Sequence, residues 1–583
     1  MLNTDGFYKK NKNLLGILLG VSVFFLSSYS YAAAPSYPID PSEVKTTLDR
    51  TIVPGPTPST PVFSYQTSQF GKNSASGYGN WQYGSGLNLV KRLDIASNST
   101  GMSAKSTRLL RFFTITDVHI NDPETPAQNI YFGFCGNVKG CNKAVGSPSN
   151  PSSFSPVMIY TTQVLDAAMQ TINSMHKHDP FDLGISLGDV IDSTQYNELR
   201  WYINVIDGNG AVSPHSGKQS GADLFMPAGL DKRISWYQVM GNHDHLWWGS
   251  APVNAYNDKL KNAYIGKNII QLGDLFPNIN TAILKNTHYM GVINGTTPRG
   301  DINLTSVGPI AGGYTDWTWN GPATTDSDLN RRSLSKTEWM NEFFNTTSNP
   351  RGHGFTQNNI HNGVAYYSFE PKPGIKVIVL DDTMPDTYNG KVSAYAYGYL
   401  DQTQYNWLVR ELDKGQAADK LMIIAAHIPI NIVPIDANAA AWTSASPVSQ
   451  TTVLAKLHKY PNLILWISGH RHINAVTVQK SSDPAYSDPA HSFWEVETAS
   501  LKDFPQEFRT FDIYRNSDNT VSIVTIDVDP AIKIGSGYPA ELSRAYAVAS
   551  SQIFLYSKWF WSVAPYFYYD AELVKQLPPQ THT

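Results

Sequence analysis

Five short apolar runs, far apart in the chain, each end in a cluster of Asp, Asn or His. Leu109–Thr116 runs into Asp117, Phe181–Leu187 into Gly188-Asp189, and Ile234–Met240 into Gly241-Asn242-His243-Asp244. Lys420–Ala426 runs into His427 and Asn462–Ser468 into Gly469-His470. Apolar runs of this length predict buried strands. Between them the spacing turns helical: Val157, Tyr160, Val164, Ala168, Met169 and Ile172 share one face, and Tyr405, Leu408, Val409 and Leu412 another. Ala365–Glu370 and Ile375–Leu380 read as paired strands across a Pro-Gly turn. The expected class is α/β. In open α/β sheets ligands bind beyond the carboxyl ends of strands, so strand ends distant in sequence converge on one site.

The other segments frame this core. Lys9, Lys10 and Lys12, the apolar run Leu14–Leu26 and the small residues through Ala34 form a secretory-signal pattern, so residues 1–34 predict export to the periplasm or outside the cell. Residues 35–105 read as an extended arm and loosely structured lead-in. Residues 246–362, rich in Asn, Thr and Gly, read as an insertion. In the C-terminal segment 531–583, residues 553–569 hold nine aromatics, which suit either peripheral membrane contact or docking on the core. Cys135 and Cys141, the two cysteines of the 583-residue chain, suit a small disulfide loop in an oxidising compartment. Twelve per cent aromatic residues exclude a disordered chain. Without residues 1–34, which carry three Lys and one Asp, 41 basic and 47 acidic residues remain, a net charge of −6. That sign disfavours nucleic acid as a default partner.

Asp117, His119, Asp189, Asn242, His243, His427, His470 and His472 are therefore candidate site residues. Carboxylate, amide and imidazole donors suit one or two first-row transition ions. Residues i and i+2 of a strand project to one face, so Asp117/His119 and His470/His472 are each expected to offer two groups to one point. A carboxylate such as Asp189 can bridge two ions. Gly188, Gly241 and Gly469, each preceding a candidate ligand, suit sharp turns close to a metal.

Asp117-Val-His119, Gly188-Asp189-Val-Ile-Asp192, Gly241-Asn242-His243-Asp244, Ala426-His427 and Gly469-His470-Arg-His472 follow one another in that order. The series resembles the calcineurin-like metallophosphoesterase superfamily, whose pattern is DxH…GDxxD…GNH[DE]…H…GHxH. The resemblance covers about residues 109–530. It implies a catalytic domain over 106–530, built as two packed mixed β-sheets flanked by helices, with the long insertion and extra N- and C-terminal segments decorating it. It implies two divalent or trivalent ions of Zn, Mn or Fe. One would take Asp117, His119, His472 and bridging Asp189; the other would take Asp189, Asn242, His427 and His470. The implied reaction is phosphoric-ester hydrolysis by a metal-bound hydroxide on a small phosphoester: a nucleotide, a phosphomonoester or a lipid head group. His243 is implied as general acid. Asp192 pairs with this His in the phosphoprotein-phosphatase branch and is expected to orient His243, with a helix cap as its alternative role. Ser193 stands where that branch has Arg.

Two other classes share these features. One is a non-catalytic metal-binding protein on the same fold, against which the intact ligand set and His243 weigh. The other is a metal-dependent nuclease, disfavoured by the acidic balance. His245, His353 and His361 read as loop residues, Arg471 as an outward surface residue, and Leu501–Pro505 as a rim of the site.

Overall fold

The computed structural model describes residues 34–59, 74–131, 156–247, 249, 251–253, 258–267, 288–291, 325–385, 398–430, 448–556 and 570–579. Residues 1–33, Cys135, Cys141 and most of the aromatic run 553–569 lie outside them. Two large sheets dominate. The seven-stranded sheet contains β1 (Val90–Ile95), β2 (Thr107–Ile115), β3 (Leu183–Ser186) and β4 (Ser235–Gln238). The chain then builds a six-stranded sheet from β5 (Tyr367–Lys372), β6 (Ile375–Val379), β7 (Leu421–Ala425), β8 (Leu463–Ser468), β9 (Ala475–Gln479) and β10 (Phe493–Glu497). It returns to the first sheet with β11 (Phe508–Arg515), β12 (Thr520–Val528) and β13 (Ala571–Gln576).

The strand orders are β1-β13-β12-β11-β2-β3-β4 and β5-β6-β7-β8-β10-β9. Strands β2, β3 and β4 run parallel, as do β6, β7, β8 and β10; the remaining pairs are antiparallel except β13 with β1. All five runs that precede the candidate ligands form strands with at least one parallel neighbour, and β3, β7 and β8, covered on both faces, are buried at every residue.

Alternation along the six-stranded sheet divides its side chains between two cores. Val377, Val379, Ile423 and Ala425 join the core shared with Phe113, Ile185 and Phe511 of the other sheet. Ile378, Met422, Ile424 and Trp466 turn outward to a second core with Leu408 and Leu412. The latter two belong to the helix Gln402–Ala417, whose start is capped by Asp401 accepting from Gln404 N. The helices Thr161–His178 and Tyr196–Asp207 add Leu165, Met169, Leu199 and Ile203 to the first core. The result is the expected pair of mixed sheets flanked by helices.

The expected boundaries differ from those observed. Residues 90–95, within the segment read as loosely structured, form β1. Arg50–Pro54 and Trp81–Ser85 pair with each other as antiparallel strands. The tail supplies β13, which sits between β1 and β12 with Leu573 fully buried. The sheet therefore crosses both predicted domain edges, at 106 and at 530. Strand β1 carries no strand pattern because it is a half-exposed edge strand, Val-Lys-Arg-Leu-Asp-Ile, with Ile95 its one buried residue. Residues 325–362 also belong to the core rather than to an insertion: Trp339, Met340, Phe343 and Phe355 are buried in it. Their polar neighbours mask these few large anchors.

One buried carboxylate joins two strand ends. Asp244 accepts from Gly241 N at 2.7 Å, Asp189 N at 3.0 Å, Val190 N at 3.0 Å and Ile191 N at 3.3 Å. The turns after β3 and β4 are locked together by this side chain.

Two stability predictions follow from these contacts. Leu573→Ala is expected to cost about 2–5 kcal/mol in urea unfolding, because β13 is an interior strand. Asp244→Asn turns an NH2 group toward amide donors, and each buried donor left stranded costs about 1–3 kcal/mol. A large drop in unfolding midpoint is expected, and a wild-type midpoint would show that the clamp is dispensable.

Candidate metal centre

The candidate ligands sit beyond their strands, not on them. β2 ends at Ile115 and β8 at Ser468. Asp117, His119, Asp189, His470 and His472 all have left-handed backbone, with φ of 50°, 47°, 51°, 75° and 58°. Such conformations cost of order 1–3 kcal/mol each in non-glycine residues and gather at functional sites. Asp117 and His119 do converge, but through these turns rather than through the pleat of a strand. The expected convergence of His470 with His472 is corrected: the two rings part, one into each of two donor groups. The role expected of the glycines also shifts. A Cβ on Gly241 would run into Asp189 N and Oδ1, so this glycine admits the neighbouring strand end rather than a metal.

The side chains form two adjoining groups. In the first, Asp117, His119 and His472 bring their donor atoms within 4.8 Å of one another; in the second, Asp189, His427 and His470 do so. His472 Nε2 lies 3.2 Å from Asp117 Oδ1, and His427 Nε2 lies 3.1 Å from Asp189 Oδ2. Asp189 Oδ2 is also 3.7 Å from His119 Nε2, so one carboxylate faces both groups. Asn242 Oδ1 joins the second group at 3.1 Å from His470 Nδ1, while its Nδ2 donates to Gly249 O at 3.1 Å. Each group draws on both sheets.

Behind these atoms lies a set of orienting partners. His119 Nδ1 donates to Asp192 Oδ1 at 2.9 Å, His472 Nδ1 to Asp503 Oδ2 at 2.5 Å, and His427 Nδ1 to Leu187 O at 2.8 Å. Fixing one ring nitrogen in this way leaves Nε2 as the donor toward a metal. Asp382 accepts from His427 N at 3.1 Å and from Ile428 N at 3.1 Å and holds that loop.

The expected pairing of Asp192 with His243 is corrected. The Asp192 carboxylate binds His119 and lies 4.0 Å from His243 Nδ1, which donates instead to the Asp192 main-chain carbonyl at 2.9 Å. The residue still holds His243, through its backbone. His119, Asp192 and His243 also bring donor atoms within 4.8 Å of one another, but the hydrogen bond between His119 and Asp192 makes this an outer layer of the first group. His243 N donates to Asp189 Oδ1 at 2.7 Å.

Other expectations resolve locally. Arg471 forks onto Glu497, with Nε at 2.7 Å from Oε2, and is not simply an outward surface residue. His353 is buried against Trp236, ring centroids 3.6 Å apart, and donates to its carbonyl. His245 Nε2 meets Thr383 Oγ1 at 2.7 Å. His361 is exposed. Asp244, Asp382 and Asp503 are the residues that sequence reasoning left without a role. Asp244 stood inside a motif and Asp503 in the supposed rim, but no spacing rule assigns either to an amide or an imidazole.

Electrostatics divides the imidazoles. Burial opposes charge on all of them. Asp189 nevertheless holds His427 up at about 10, and Asp117, then Asp503, holds His472 up at about 9. Burial, reinforced by Lys502 and neighbouring His residues, keeps His119 far below its ordinary value; burial and His427 bring His470 down to about 3. Burial likewise opposes ionisation of Asp117 and Asp189, yet the adjacent histidines hold both carboxyls below the ordinary range. Each carboxylate is thus balanced by one imidazole.

The donor set fits a pair of borderline ions. His119 Nε2 is buried without a hydrogen-bond partner, a costly arrangement that a cation beside it would relieve.

No family model and no curated protein sequence matches the chain. Among solved structures it is similar to a dimetal phosphatase from Danio rerio, at 12% identity over 73% of this chain and 100% of that one, with a TM-score of 0.34. It is also similar to the sulfate thiohydrolase SoxB of Thermus thermophilus, at 12% identity over 76% of this chain and 60% of that one, TM-score 0.26. A third is the calcineurin-like phosphoesterase YfkN of Bacillus subtilis, at 12% identity over 77% of this chain and 98% of that one, TM-score 0.25. The order of motifs in the chain and the geometry of the site, rather than these alignments, carry the functional reading.

Proposed function

We propose that this protein is a metal-dependent phosphoric-ester hydrolase with a dinuclear centre. The observation that carries the reading is the position of Asp189, whose Oδ2 is 3.1 Å from His427 Nε2 and 3.7 Å from His119 Nε2, between two groups of buried donors. Asp117, His119 and His472 would hold one ion, Asn242, His427 and His470 the other, with Asp189 common to both. When bound, two such ions stabilise charge on phosphoryl oxygens and make water nucleophilic near neutral pH.

The chain's own residues do the rest. Asp192 and Asp503 fix the ring orientations of His119 and His472, and Leu187 O that of His427. His243, with Nδ1–H held by the Asp192 carbonyl, is left with Nε2 as the atom that would hand a proton to the leaving oxygen. The substrate class is a small phosphoester, monoester or diester. Lipid head groups belong to this class if residues 553–569 meet a membrane. The Lys-rich start, apolar run and small residues through Ala34 support action outside the cytoplasm.

Purified protein is expected to contain about two transition-metal ions per chain and to hydrolyse bis-p-nitrophenyl or p-nitrophenyl phosphate in a chelator-sensitive way. Failure to take up metal on reconstitution would overturn the proposal, as would hydrolysis indifferent to chelator. Faster cleavage of DNA or RNA than of small esters would favour the nuclease reading instead. His243→Ala keeps the backbone N–H that binds Asp189, so metal content should be unchanged while kcat falls by roughly 10²–10⁴. Full activity in that variant would remove His243 from proton transfer.

A further inference from the structure

We infer that Asp503 is a positioning residue that sets the metal affinity of the Asp117/His119/His472 group selectively, leaving the Asp189/His427/His470 group unaffected. The inference rests on the dinuclear reading above and adds to it a residue outside the ligand motifs.

Three observations support it. First, the hydrogen bond is short and enclosed: Asp503 Oδ2 is 2.5 Å from His472 Nδ1, and the two side chains are 14% and 2% exposed. A carboxylate on the far nitrogen fixes the tautomer and raises the basicity of Nε2, the atom 3.2 Å from Asp117 Oδ1.

Second, the loop carrying Asp503 is tied to the same group at its other ligand. Ser500 Oγ donates to Asp117 O at 2.8 Å and accepts from Lys502 N at 2.8 Å and Asp503 N at 3.2 Å. Leu501 N donates to Thr116 O at 3.2 Å. On the opposite side Gln506 N donates to Asp503 O at 2.7 Å, and Gln506 Nε2 reaches Ser543 Oγ at 3.0 Å on the helix Pro539–Tyr556. One loop thus holds Asp117 by its backbone and His472 by its ring.

Third, the corresponding support in the second group is different in kind. His427 leans on a neutral main-chain carbonyl, Leu187 O, and its loop is held by Asp382 through amide hydrogens. None of these hydrogen bonds involves residues 500–506.

The test uses the full chain, titrated with Zn(II) or Mn(II) alone against a competing chelator, in the wild type, Asp503→Asn and Asp503→Ala. The wild type should show two binding steps. In the variants one step should weaken by about 10–100-fold, the range for loss of an outer carboxylate, while the other keeps its wild-type affinity. Asn, which keeps an acceptor without charge, should lose less than Ala. Without metal both variants should stay folded, and the loss of one step with the other kept is a readout that a merely structural role would not give. Two unaltered steps in both variants would overturn the inference, as would equal weakening of both steps. A wild type that binds no ion would defeat the dinuclear reading itself, a result distinct from either.

Discussion

The site depends on the Asp244 carboxylate more than on any single ligand. Two strand ends must lie side by side for Asp189 to face both donor groups, and each brings amide hydrogens that no strand or helix satisfies. Asp244 collects those of Gly241, Asp189, Val190 and Ile191. Burial, then the Asp189 charge, pushes the Asp244 carboxyl upward and the amide donors oppose that rise; the hydrogen bonds are shared between two loops. Asp382 repeats the device for the loop of His427. Buried carboxylates that never touch a ligand atom's metal face hold the turns on which the ligands ride.

That clamping explains how the chain tolerates its backbone. Five of the seven expected ligands have left-handed φ, a conformation that disperses readily in an unrestrained loop. Fixed amides, together with glycines whose missing Cβ admits the adjacent turn, leave no room for relaxation. The left-handed turns in return aim Asp117 and His119 at one group and part His470 from His472, which serve different groups, without help from a pleat.

How much of this was legible in the chain follows from the physics of each feature. The ligand-bearing strands were readable because parallel strands covered on both faces demand continuous apolar runs, and Leu109–Thr116 and Lys420–Ala426 are such runs. The ligands were readable because Asp, Asn and His at successive strand ends have few structural uses in common. Strand β1 was not, because an edge strand with lysine, arginine and aspartate needs no apolar face. Strand β13 was not, because Ala-Glu-Leu-Val-Lys-Gln acquires its identity only from its neighbours, one of them some 480 residues earlier in the chain. The orienting residues were hidden for a different reason. Asp503 and Asp382 act across distances in sequence set by the packing of the sheets, and no local pattern marks an acid that serves an imidazole or an amide from another loop. Asp192 is instructive: motif order brought it to the site, but only the fold decides which histidine its carboxylate meets.

The division of ligands between the sheets gives the centre a mechanical meaning. Asp117, His119, Asp189 and Asn242 follow strands of the seven-stranded sheet; His427, His470 and His472 follow strands of the six-stranded sheet. Each donor group contains members of both, so neither group can form unless the two sheets are packed in register. The apolar core between them, from Phe113 and Ile185 to Val379 and Ala425, sets that register before any ion arrives. An ion that binds the packed arrangement and not the separated sheets adds RT ln(1 + [L]/Kd) to the stability of the interface. In the proposed centre either ion would stabilise the one seam on which both donor groups stand, while the apolar core fixes the geometry of each group whether or not the other is filled.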